Sequence, residues 1–155
     1  MKQETEDLTR LDEITDQQIN ELFRLTQRMK ASAQRGELWL RLAELYAEKA
    51  EMIDHRIQDD FDKKVKEHQA GRGAKPVLNL KPAQEYNRKA VQLYEWFIRD
   101  FPKDKKMDQA LFFLGYNYYA MEEPKKGTAF YQRLVHEYPR SPFIMSHWTW
   151  QRSQK

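Results

Sequence analysis

The sequence predicts an all-α fold: antiparallel helix pairs stacked as a solenoid, five to six helices in all, with one elongated helix and loop inserted in the first pair. Three observations lead there. Apolar residues recur at steps of three and four along most of the chain, and no alternating stretch reads as a strand. Prolines at 82, 102, 124 and 139 fall where those stretches begin or end. The segment YEWFIRDFPK at 94–103 also matches YQRLVHEYPR at 131–140 slot for slot in aromatic, aliphatic, acidic and proline positions, an internal repeat.

Taken in order, residues 1–15 carry an excess of Asp and Glu and are expected to be an acidic start without fixed structure. Thr15-Asp16-Gln17-Gln18 offers a capping box, so a first helix is expected over 16–34, ending at a turn near Gly36. From there Trp39, Leu42, Ala43, Tyr46, Ala50, Ile53, Ile57, Phe61 and Val65 share one stripe, which predicts a single helix over 37–69. Such a helix would be about 50 Å long at 1.5 Å per residue. Gly71, Gly73 and Pro76 break it, and a loop leads to Pro82 in the first turn of the next helix, which must stop near Pro102. A fourth helix is expected over 107–121 and a fifth from Pro124 to before Pro139. Residues 142–155 read as the start of a further helix. The whole of 1–155 is expected to be one domain.

The repeat also supplies its front half. Leu111-x-x-Leu114-Gly115-x-x-Tyr118 precedes Gly127, Tyr131 and Pro139, making 107–139 one unit. Trp39-x-x-Leu42-Ala43-x-x-Tyr46 has the same front-half pattern, and Ala90, Tyr94 and Pro102 the matching back half. The distance from Ala43 to Ala90 is far greater than from Gly115 to Gly127, so 36–102 reads as a split unit with an arm of about 35 residues inserted around 47–82. The small residues mark the place where two antiparallel helices come close, and the aromatic and leucine slots fill the groove around them.

These motifs, in the stretch FPKDKKMDQALFFLGYNYYAMEEPKKGTAFYQRLVHEYPRSPF, resemble tetratricopeptide repeats. The likeness is to those of bacterial cell-envelope proteins, such as the outer-membrane assembly lipoprotein and the Tol-associated periplasmic coordinator. A weaker likeness, extending to RLAELYAEKAEMI, is to repeat proteins of bacterial gliding motility. Leu111 and Gly127 depart mildly from the family, in which Trp and Ala are frequent at those slots. The resemblance implies a scaffold or adaptor that binds another protein or peptide, with no enzyme activity and no cofactor.

Composition agrees with that class. Without cysteine there is no disulfide framework, no thiolate nucleophile and no Cys-based metal site. His55, His68, His136 and His147 lack ligand spacing, and Gly71-Arg72-Gly73 is a turn and not a phosphate loop, so neither catalysis nor a metal is expected. A net charge of +3 is too small and too mixed to indicate a polyanion. The alternative of a nucleic-acid-binding helical protein rests on the basic stretch 63–75, whose acidic neighbours speak against it. No run is long and apolar enough for a membrane span, and none reads as a signal peptide. The expectation is a cytoplasmic chain as the sequence stands, or a periplasmic one if it was cut from a longer exported protein.

Stacked helix pairs curve, and the first helix of each pair lines the hollow face. The partner-binding candidates are therefore Leu40, Arg41, Glu44 and Glu48 in the first unit and Gln109, Phe112, Tyr116 and Tyr119 in the second, while Phe113 is expected in the core. Because aromatics occupy slots where a carboxylate clamp needs Lys, Arg or Asn, capture of an acidic C-terminal tail is not expected. Trp148 and Trp150 stand at an uncovered end and are candidates for self-association, as a homodimer, or for contact with a next repeat.

Overall fold

In a computed structural model of the chain, which describes residues 2–29 and 33–145, five helices follow one another: α1 (Lys2–Arg28), α2 (Ala33–Gln69), α3 (Lys81–Asp100), α4 (Met107–Ala120) and α5 (Pro124–Glu137). No strand occurs among the described residues, and the chain is helical again at 143–145. Each helix packs on the next in sequence.

Sequence predicts no fixed structure for residues 1–15 and a helix opening at Thr15; the helix instead begins at Lys2. Thr15 lies in mid-helix, 8% exposed, its hydroxyl donating back to the Leu11 carbonyl at 2.8 Å. Tertiary packing overrides the local capping signal, because Thr15 and Ile19 seal against α2 and the early carboxylates have a partner there. Lys49 of α2, itself buried, bonds both Asp12 and Asp16, the latter at 3.0 Å, and Arg56 stands 3.7 Å from Asp12. Hydrogen bonding from Lys49 holds the Asp12 carboxyl below its ordinary value. Burial opposes charge on Lys49, but its bonds to Asp12 and Asp16 win and raise it.

The turn expected at Gly36 is also absent, since α2 already runs from Ala33. A Cβ at Gly36 would lie 3.1 Å from the Phe101 ring and 3.2 Å from the Phe97 ring, so this glycine lets the end of α3 close over the helix instead of breaking it. The long α2 is continuous, as expected, to Gln69. It ends on Gly71 at φ +79°, with the Arg72 amide bonded to the Glu67 carbonyl at 2.8 Å, a left-handed cap that suits glycine. The chain then doubles back, placing Pro76, Val77 and Asn79 beside Ile57, Phe61 and Lys64 of the arm.

Prolines set the remaining ends. Pro82 sits in the first turn of α3, and the Phe101 amide closes that helix on the Phe97 carbonyl just before Pro102. The α4 and α5 bounds agree with the expected 107–121 and 124–138 to within a residue. Between them Glu122 takes φ +62° and the Glu123 amide bonds the Tyr118 carbonyl at 2.9 Å.

The first half of α2 lies antiparallel on α3, with Trp39 5.7 Å from Trp96 and Tyr46 6.2 Å from Tyr86 between ring centres. In the α4–α5 pair the backbones approach closely at two glycines. A Cβ on Gly127 would meet the Tyr119 ring at 2.5 Å and the Gly115 carbonyl at 3.0 Å. Between the pairs, Tyr94 of α3 stacks on Phe113 of α4, and the buried Asn87 amide donates to the Asn117 side-chain oxygen at 2.9 Å. One apolar core joins all of this, from Ile19 through Trp39, Tyr94 and Leu114 to Leu134.

Candidate functional site

The candidate surface spans α2 and α4, both of which pack on α3. Their nearest polar link is the Gln109 amide donating to the Glu44 carboxylate at 3.2 Å. From Glu44, helical spacing carries Glu48, Glu51 and Asp54 along the same side of α2. On α4 the matching positions after Gln109 are Phe112, Phe113 and Tyr116. Glu51 and Asp54 lie close enough to Tyr116 to disfavour its ionisation, which burial, the larger cause, already raises above the ordinary value.

The eight expected contact residues divide. Leu40, at 3% exposed, belongs to the apolar core that joins the helix pairs and is not free to meet a partner. Phe112, at 7%, is covered likewise, by Phe113, Tyr131 and Phe143 with ring centres 5.0 to 5.8 Å away. Tyr119 is half-buried and pressed on Gly127, stacked on Tyr131 at 5.4 Å, so it is chiefly a packing residue. Arg41 and Gln109 both bond Glu44, the first at 3.0 Å. That leaves Glu44 and Tyr116, half-buried, and Glu48, exposed, as side chains presented on this face. Phe113, expected in the core, is partly buried against it. Trp148 and Trp150 lie outside the described residues.

Sequence reasoning misses Glu51 and Asp54, because it ends the face where the arm begins. The signal is present in the unbroken three-and-four spacing of carboxylates through 44, 48, 51 and 54. It also misses the Tyr94 hydroxyl, which is wholly buried and finds no hydrogen-bond partner among the described residues. Burial, then the charges of Glu44 and Glu48, push its ionisation far up.

Among the described residues no group of three or more His, Asp or Glu side chains could hold a metal ion. No helix among them is long and apolar enough to cross a membrane. The basic stretch lies at the arm's end, where Lys64 pairs with Asp60 at 2.9 Å and Lys63 and Lys66 are exposed.

No family model matches the chain, and no curated protein or solved structure is found similar to it.

Proposed function

We propose that this chain is a tetratricopeptide-type scaffold that holds another protein on the face shared by α2 and α4, and that it performs no chemistry of its own. One observation carries the reading: the first helix of each repeat-like pair presents side chains to a common surface, linked at Glu44 and Gln109, over a core to which all four helices of the two pairs contribute. The spacing of small residues supports it, since Gly115 and Gly127 meet within an antiparallel pair as helix-pair repeats require. Tyr116 offers a half-buried aromatic surface, of the kind that contributes contact area at little entropic cost.

Affinity capture from the native cell, comparing the unaltered chain with Tyr116→Ala, tests this. A specific protein held by the first and lost by the second is the expected result, with circular dichroism unchanged between them. Equal capture by both excludes the face. The rival reading, nucleic-acid binding by the basic arm at 63–75, has against it Glu67 within that stretch and Asp59, Asp60 and Asp62 just before it. It would show as captured RNA or single-stranded DNA whose retention collapses with salt.

A further inference from the structure

The charge of the α2–α4 face departs from that of the molecule as a whole. The chain is net basic, at +3, yet α4 contains no Lys or Arg, and the facing side of α2 presents Glu44, Glu48, Glu51 and Asp54. The one lysine in that stretch of α2, Lys49, is turned to the opposite side, where Asp12 and Asp16 hold it. Of the four carboxylates, Glu44 has Arg41 and Gln109, and Asp54 has the amide of Gln58. Glu48 and Glu51 are exposed and have no cationic partner among the described residues.

A row of carboxylates is by itself only a solvated helix face. Here a second feature points to an occupant. Tyr94 of α3 stacks its ring on Phe113 of α4. Its hydroxyl is fully buried, feels the charges of Glu44 and Glu48, and has no hydrogen-bond partner among the described residues. A buried donor without a partner is a costly thing to keep in a core that phenylalanine could fill equally well. It is accounted for if an acceptor arrives with a ligand, either a main-chain carbonyl or a carboxylate re-aimed when a cation draws it over the hydroxyl.

We propose that the occupant of this face is a cationic segment of a partner protein, with Lys or Arg side chains set against Glu44, Glu48 and Glu51 and an apolar residue against Tyr116. This rests on the scaffold reading and sharpens it by naming the partner's chemistry. Carboxylates spaced one helical turn apart match basic side chains repeating at a similar rise, and the half-buried phenol beside them takes the apolar or guanidinium face between.

The test uses the full chain and two fluorescein-labelled twelve-residue probes, one of alternating Lys and Leu, the other of alternating Gln and Leu, read by anisotropy. The Lys probe is expected to bind, to bind about tenfold more weakly to the Glu48→Gln, Glu51→Gln double variant, and to keep its affinity for Asp59→Asn, Glu67→Gln, which removes the same charge from the arm. Tyr94→Phe is expected to melt no lower than the unaltered protein yet bind the Lys probe several-fold more weakly. Equal loss in both double variants, or no binding of the Lys probe at all, overturns the inference. Binding of the Gln probe alone, abolished by Tyr116→Ala, overturns the cationic partner while leaving the scaffold reading in place. If sedimentation shows that the chain pairs with itself through this face, blocked by Glu48→Gln, Glu51→Gln, the occupant is a second copy and the proposal falls.

Discussion

The two central helix pairs use the same slots to different ends. In the α4–α5 pair both helices have 14 residues, and glycines at 115 and 127 let the backbones touch. The first pair joins a 37-residue α2 to a 20-residue α3 with alanines at 43 and 90, both wholly buried, and cushions its ends with Trp39, Trp96 and Phe101. Shape in the second pair is set by backbone approach, and in the first by large rings. The ring-packed pair accommodates a long projection of α2, since the part of that helix beyond Ala50 is covered by α1 and the return loop and not by α3 alone. Such an extension gives the acidic row of α2 its length.

The junction between the pairs should be the most sensitive point. Asn117 accepts from Asn87 at 2.9 Å and donates to the Phe113 carbonyl at 2.7 Å, and both side chains are buried. Asn117→Ala strands the Asn87 amide and is expected to cost about 2–3 kcal/mol in chemical denaturation. Adding Asn87→Ala should cost little more, because the stranded group goes with it; fully additive losses would show that the pair is not coupled.

Next in size comes the contrast between the glycines. Gly→Ala in a helix ordinarily gains about 1 kcal/mol. At Gly127 the new methyl would meet Tyr119 and the Gly115 carbonyl, so the expected net is a loss of about 1–2 kcal/mol. At Gly36 the neighbours are the ring edges of Phe97 and Phe101 near the end of α3, which can give a few tenths of an ångström, and the change should be close to neutral. Equal melting shifts for the two variants would remove the distinction between a backbone-limited and a ring-limited pair.

How much of the fold is legible in the sequence depends on the same physics. The bounds of α3, α4 and α5 can be read because proline removes an amide donor, a local fact that no packing reverses. The start of α1 cannot, because Thr15 has a local capping signal that burial against α2 overrules, and Gly36 looks like a turn when its lack of a side chain serves a contact with Phe101. The candidate face is half readable. Spacing puts Glu44, Glu48 and Tyr116 on it, but spacing cannot tell that Leu40 and Phe112 are buried, Phe112 under Tyr131 and Phe143. Glu51 and Asp54 are lost to the assumption that an inserted arm leaves the face; α2 runs straight through that boundary.

The smallest expected effect concerns α1, which lies outside both pairs, and it comes with a pH signature. Asp12 titrates below its ordinary 3.8 in the folded chain because Lys49 bonds it, so its contribution is present above that value and is lost as pH falls through the lower, folded one. With Asp12 partly exposed and Asp16 half in water, the contribution at neutral pH should stay under about 1 kcal/mol. Lys49→Met removes the cation and replaces it with an apolar side chain among Tyr86 and the α1 seal, so neutral-pH stability should hardly move. The acid limb is where the two proteins should differ. In amide exchange, α1 of the unaltered chain is expected to lose protection below pH 3.8 ahead of α4 and α5, and in Lys49→Met that added loss should shrink. If both proteins lose α1 at the same pH, Arg56 or the apolar contacts of Ile19 hold the helix, and the Lys49 bonds are incidental.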